Sequence, residues 1–96
     1  MTAIVRVEHK VGSYDAWKNI FDSDPLGRKK SGVTVYRVSR SLDDPNFITI
    51  DLEFANSNQA KSFETALREM WKSPEAQKLM QNPQLRTVEL VESRNP

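Results

Sequence analysis

The only histidine of the chain, His9, lies in the segment VEHKVGSYDAWKNIF, close to Tyr14 and Trp17. Histidine titrates near neutral pH, so its side chain can transfer protons or bind a metal ion. His9 is therefore a candidate general acid or base at the mouth of a small-molecule pocket, with Tyr14 or Tyr36 as its hydrogen-bond partner. The alternative is a packed histidine whose hydrogen bond orients the turn after the first strand. The residues themselves leave both roles open.

A second group of candidate residues consists of charged side chains on the predicted strands. Its members are Arg6, Glu8, Arg37, Asp51, Glu53 and Glu89. Paired carboxylates in a dry cavity can transfer protons, and an arginine can anchor an anionic substrate through two hydrogen bonds. Opposite charges on neighbouring strands also form ion pairs that set strand register and the choice of partner. We expect the second role, at an interface between two subunits.

The composition argues against several classes of function. With 14 basic and 13 acidic residues and a net charge of +1, the chain lacks the positive field that non-specific nucleic-acid binding requires. The absence of cysteine and the single histidine leave too few ligands for a typical metal site, and no glycine-rich nucleotide-binding motif occurs. No apolar run approaches the roughly 20 residues that span a bilayer. We expect a soluble, cytoplasmic protein without metal, cofactor, nucleic-acid or membrane partners.

The periodicity of apolar residues predicts four strands and two main helices in the order β-α-β-β-α-β. Ser13 is a candidate N-cap of the first helix, Asn56 or Ser57 of the second, and Ser73 precedes a short helical restart. The basic run Arg28-Lys29-Lys30, after Pro25, is expected to lie on a solvated helical turn. That turn is expected to end at Gly32, with the glycine in a left-handed conformation. The predicted strands cover residues 3–10, 33–40, 47–54 and 85–92, and the helices begin after residues 13 and 56, with Asn82-Pro83 ending the restart.

This order is the ferredoxin-like arrangement of the α+β class, a four-stranded antiparallel sheet with both helices on one face, and it occupies residues 1–96 as one domain. We name the opposite side of the sheet the open face. Its alternation mixes apolar and charged residues, so a second subunit is expected to cover it. The residues predicted for the open face are Ile4, Arg6, Glu8, Val33, Val35, Arg37, Phe47, Thr49, Asp51, Glu53, Glu89 and Val91, with Val88 and Leu90 on the helix side.

Three stretches carry a resemblance to a known superfamily: VEHKVGSYDAWKNIFD, GVTVYRVSRSLDDPNFITIDLEF and ANSNQAKSFE. From Ile4 to Glu92 the sequence resembles the dimeric α/β-barrel superfamily, specifically small cyclase-like or antibiotic-biosynthesis-monooxygenase-like bacterial proteins. The resemblance implies that two sheets meet face to face in a homodimeric barrel. It also implies a cavity between each sheet and its helices or at the barrel centre. A fold of this kind does not by itself determine a reaction.

The resulting hypothesis is a homodimer that holds a small, largely apolar organic molecule, as a cofactor-independent monooxygenase or cyclase. Its pocket is expected between sheet and helices, lined by His9, Tyr14, Trp17, Tyr36 and Phe63. The two tryptophans of the chain lie on apolar helical stripes and equally suit a plain core. The rival hypothesis, from another class, is a non-catalytic dimerisation or ligand-binding module.

Overall fold

Four antiparallel strands form one sheet in the order β2-β3-β1-β4, with the helices on one side of it. The computed structural model describes residues 1–96. The structure confirms the predicted strands 33–40 and 47–54 and the short helix that follows Ser73. It also confirms the ferredoxin-like class. The elements are β1 (Ala3–Val11), α1 (Tyr14–Asp22), β2 (Val33–Arg40), β3 (Phe47–Phe54), α2 (Ser57–Met70), α3 (Pro74–Leu79) and β4 (Met80–Glu89).

Each helix begins at a side-chain cap. Ser13, Asn56 and Ser73 have extended backbones, and each side-chain oxygen accepts a hydrogen bond from the backbone N–H three residues later, at 2.9 to 3.2 Å. The cap satisfies one of the donors that the first helical turn leaves without a partner. At α3 the cap is followed by Pro74, whose fixed φ suits the first helical position. The predicted helix starts are therefore confirmed.

The core lies between the sheet and the helices. In β3 every second residue is buried, from Ile48 to Phe54, and Val5 and Val7 of β1 are buried beside them. Phe63 and Leu67 of α2 pack on the same cluster. Each such side chain stabilises the fold by roughly 1.5–3 kcal/mol when fully buried, so this one-sided pattern dictates which sheet face the helices cover.

Strand β4 differs from the prediction in its bounds and in its orientation. It begins at Met80, so Asn82-Pro83 lies inside the strand, where Asn82 has φ 51° and the pairing with β1 shifts register. Because β4 is an edge strand, a proline at an irregular position costs little pairing. Val88 pairs with Ile4 and faces the open side, contrary to the prediction.

The two neighbours of Val88 in β4, Thr87 and Glu89, point to the helix side of the sheet. Thr87 pairs with Val5, and its hydroxyl donates a hydrogen bond to Glu64 of α2 at 2.6 Å. Glu89 pairs with Ala3 on this side, so its predicted place on the open face was wrong. Val91 follows the strand and is exposed.

Strand β2 contains a second irregularity. Val33 pairs with Phe54 and Val35 with Glu53, so Thr34 is an extra residue on this strand. A bulge reverses the side-chain alternation beyond it. Val33 therefore packs against the core, whereas the uninterrupted alternation had predicted it on the open face.

The connection between α1 and β2 is a series of turns instead of the predicted helical restart. Asp24 has φ 57° and Gly27 φ 61°, both in the left-handed region, and Asp24 Oδ1 accepts the Arg28 backbone N–H at 2.9 Å. These turns direct Arg28 back against Phe21, with the guanidinium 3.9 Å from the ring centroid. The prediction of a solvated Arg28 was therefore wrong, because it assumed a helix that Pro25 does not start.

Gly32 closes these turns, and its replacement by alanine should destabilise the protein by about 1–2 kcal/mol. Its φ of 103° is strained for an L residue, and an added Cβ would lie 2.9 Å from Gln59 Cδ. Gly12→Ala is the matched control, because its φ is not in this region and a Cβ there meets nothing within 4 Å. Urea denaturation of both variants measures the difference, and equal midpoints would contradict the assignment of strain to Gly32.

The longest helix, α2, has 14 residues. None of the helices has the length and apolar character needed to cross a bilayer.

Candidate functional site

A cavity of about 90 Å³ lies between the sheet and the helices and opens to solvent beside the α1–β2 connection. The side chains therefore do not fill all the space that the sheet and helices enclose. Eleven of the 15 residues that line the cavity are hydrophobic. A pocket of this kind suits an apolar molecule held by few polar groups. The lining consists of Val7, His9, Trp17, Ile20, Phe21, Asp24, Pro25, Leu26, Arg28, Ile50, Leu52, Phe63, Leu67, Met70 and Trp71.

Periodicity explains why these side chains converge. Trp17, Ile20 and Phe21 are three and four residues apart on α1 and therefore share one helical face. Phe63, Leu67 and Met70 have the same spacing on α2. The floor comes from alternate residues of the two central strands, β1 and β3. The cavity is thus bounded on three sides by regular elements.

His9 supplies the one imidazole of this lining. The residue is 2% exposed, and its ring meets the Trp17 ring edge-on at 5.9 Å between centroids. Nδ1 lies 3.1 Å from the Lys10 carbonyl oxygen, which can only accept, so Nδ1 carries the proton of the neutral ring. Nε2 then presents a lone pair. His9 makes no other side-chain hydrogen bond within the chain.

Burial sets the protonation state of this imidazole. Desolvation lowers the pKa of His9 below its ordinary value of 6.5, and the hydrogen bond to the Lys10 carbonyl opposes this only in part. His9 is therefore neutral near pH 7. A neutral imidazole with a fixed tautomer can accept a hydrogen bond or a proton at Nε2.

The structure brings together three of the five predicted ligand-site residues. His9, Trp17 and Phe63 line the cavity. Tyr14 and Tyr36 do not, and neither is hydrogen-bonded to His9, whose bond goes to the backbone. Both tyrosines instead contact residues that line the cavity. The Tyr14 and Trp17 ring centroids are 5.9 Å apart, and the Tyr36 and Phe21 ring centroids are 5.3 Å apart.

Sequence reasoning missed the residues that close the outer end of the cavity, above all Arg28. The Arg28 side chain is 14% exposed, its Nη1 donates to the Phe21 carbonyl at 2.8 Å, and its Nε lies 3.3 Å from Asp24 Oδ1. The guanidinium also stacks 4.7 Å from the Tyr36 centroid. Met70 and Trp71 could have been found, since both continue the apolar stripe of α2, but nothing in the sequence pattern distinguishes Arg28.

Five of the six charged candidates lie on the open face, apart from the cavity, whereas Glu89 faces the helices. Arg6 and Asp51 are direct cross-strand partners and form two hydrogen bonds, at 2.8 and 3.1 Å. Arg37 pairs with Glu53 on the neighbouring strand. These pairs are made within one chain.

Glu8 and the apolar Val35, which were also predicted for the interface, are on the open face. Glu8 accepts a hydrogen bond from Thr49 at 3.3 Å, and Val35 is 43% exposed. The chain has no group of three or more His, Asp or Glu side chains placed to hold a metal ion.

Comparison of the sequence with protein-family models and with curated proteins gives no match. Solved structures do match. A protein of unknown function from Nitrosomonas europaea is 19% identical with a TM-score of 0.71, covering 99% of this chain and 94% of that one. SnoaB, a cofactor-independent oxygenase from Streptomyces nogalater, is 10% identical with a TM-score of 0.71, covering 96% and 95%.

A third structure, a proposed antibiotic biosynthesis monooxygenase from Chloroflexus aurantiacus, is 14% identical with a TM-score of 0.69 and covers 99% of this chain and 98% of that one. At these identities the comparison concerns the fold. The chain therefore has the ferredoxin-like fold of antibiotic biosynthesis monooxygenase-like proteins, in agreement with the resemblance of its sequence.

Proposed function

We propose that the protein binds a small, largely apolar organic molecule in the cavity and that His9 acts there as the base of a cofactor-independent monooxygenase. The observation that carries the proposal is that His9, with Nδ1 held by the Lys10 carbonyl, lines a cavity that is otherwise mostly apolar. Asp24 is the other lining group able to accept a proton, and it is paired with Arg28. The likeness of the fold to SnoaB supports the choice of oxygenation.

Such a reaction requires that the substrate supply all the electrons. A methylene flanked by aromatic rings or carbonyls is the chemical class that fits, because removal of its proton leaves a stabilised carbanion that can reduce O₂. Oxidation of that CH₂ to C=O by one O₂ releases one water, so the electrons balance without another reductant. His9 Nε2 takes the first proton, and the apolar walls favour the uncharged product.

The protein is also proposed to be a homodimer whose two open faces meet. Val35, Phe47 and Val88 give this face its apolar surface, and the ion pairs between β1, β2 and β3 neutralise most of its charge. A neutralised, partly apolar sheet surface is suited to association with a copy of itself. A cytoplasmic location is proposed with it, and the absence of cysteine is compatible with that compartment.

A second candidate function is non-catalytic binding of the same kind of molecule. It is favoured by the packing of His9, whose Nδ1 bond and edge contact with Trp17 also suit a structural side chain. Oxygen uptake separates the two. With acetylacetone as the probe methylene, oxygen uptake above the spontaneous rate supports the oxygenase, and binding without oxygen uptake supports the non-catalytic module.

Binding can be measured with phenol and toluene, which have the same shape and differ in one hydroxyl group. His9→Phe should weaken phenol binding about fivefold and leave toluene binding unchanged, because one hydrogen bond contributes about 1 kcal/mol. Both tryptophans line the cavity, so their two indole N–H signals report the titration by NMR.

The matched control for this measurement is His9→Gln, which keeps an acceptor close to the position of Nε2. It should retain most of the preference for phenol. If His9→Phe leaves the ratio of the phenol and toluene affinities unchanged, Nε2 is not a ligand-binding atom.

A further inference from the structure

A shallow groove lies on the protein surface next to the cavity. The groove is lined by the α1–β2 connection and by the first half of β2, and it shares Asp24 and Arg28 with the cavity. Inside, the lining is apolar apart from His9 and these two residues. In the groove, Lys29 and Thr34 are further polar members of the lining, beside Val33, Val35 and Tyr36. A molecule that fills the cavity and extends outward therefore passes from apolar to polar surroundings at Arg28.

Arg28 is held at this junction in a fixed orientation. Its guanidinium packs beside the edge-on pair of rings formed by Phe21 and Tyr36, at 3.9 and 4.7 Å from their centroids. One Nη1 hydrogen bond goes to the Phe21 carbonyl, and Nε faces Asp24. A guanidinium has five N–H donors, so at least three remain for a ligand. Because the group is already ordered, little rotamer entropy is lost when it binds.

The charges at the junction favour an anion. Arg28 and Lys29 contribute two positive charges against the one carboxylate of Asp24. That carboxylate already accepts the Arg28 backbone N–H at 2.9 Å and faces its Nε at 3.3 Å. Asp24 thus positions the guanidinium, and the Nη edge is left to an incoming group.

From this arrangement we infer that the ligand is a small amphiphilic carboxylic acid, with its apolar body in the cavity and its carboxylate bound by Arg28 and assisted by Lys29. A carboxylate matches the planar fork of a guanidinium with two parallel hydrogen bonds. The inference rests on ligand binding in the cavity, the first part of the proposed function, and is independent of oxygenation.

Octanoate and 1-octanol test it, because they share an alkyl chain and differ in charge. Isothermal titration calorimetry of the wild type should show octanoate binding at least tenfold more tightly than octanol. Arg28→Gln should abolish that preference and leave octanol affinity within about twofold, and Arg28→Lys should keep part of it. Lys29→Gln, at an exposed position, should reduce the preference without disturbing the packing on Phe21.

Lys30→Gln is the matched control, since Lys30 is exposed and lines neither the cavity nor the groove. Equal affinity of the wild type for both probes overturns the amphiphile inference and leaves binding in the cavity intact. An unchanged preference in Arg28→Gln overturns the role of Arg28. Absence of binding by both probes, together with absence of phenol and toluene binding, overturns the cavity as a ligand site.

Discussion

Phe54→Ala lowers the free energy of unfolding by about 3–5 kcal/mol, the cost expected for truncating a fully buried aromatic side chain. Phe54 is 0% exposed at the end of β3, and its ring lies 5.4 Å from that of Phe63 on α2. The substitution removes this contact and leaves a void between sheet and helix that a close-packed core fills only in part. Urea denaturation followed by circular dichroism measures the loss.

Phe47→Ala is the matched control at the other end of the same strand. Phe47 has the opposite parity and is only half-buried on the open face. Its truncation should cost about 1 kcal/mol when measured at a protein concentration low enough to keep subunits apart. Equal losses at the two positions would mean that the core is not confined to the helix side.

Val35→Lys converts the proposed dimer into monomers at micromolar concentration. Val35 pairs with Glu53 across β2 and β3, so the new ammonium group gains a neighbouring carboxylate within its own chain. The monomer stays folded, whereas association would have to bury an added charge on both copies, which is expected to weaken the dimer more than a hundredfold. Light scattering should give about 22 kDa, twice the chain mass of 11.0 kDa, for the wild type and the chain mass for the variant.

Leu42→Lys controls for the change in net charge, because Leu42 is fully exposed in the β2–β3 connection. This variant should retain the mass of the wild type. A wild type with the mass of a single chain across the concentration range would contradict the proposed dimer. A Val35→Lys variant that is still dimeric would show that the interface does not include this part of β2.

The regular parts of the fold could be predicted because short-range rules decide them. Two-residue alternation in β1 and β3 and the capping residues Ser13 and Asn56 depend only on near neighbours in the chain. The errors occur where one extra residue changes the alternation. The bulge at Thr34 and the register shift near Asn82 depend on pairing with a distant strand, so nothing local indicates them.

The candidate site likewise has one residue that local rules predict, His9, and one that they do not, Arg28. The orientation of His9 toward the helices follows from its parity with Val5 and Val7, and the structure places it there. The place of Arg28 depends instead on a left-handed Asp24 and on contacts with Phe21 that form only in the folded chain. A charged residue in a connecting segment resembles any surface residue until the path of the turn is known.

The outer edge of the sheet at β4 is interrupted by a proline and by a residue with positive φ. Such an edge offers an incomplete row of donors to any strand that approaches it, which discourages polymerisation into fibrils. At that margin the sheet cannot be extended by continuous pairing with further copies.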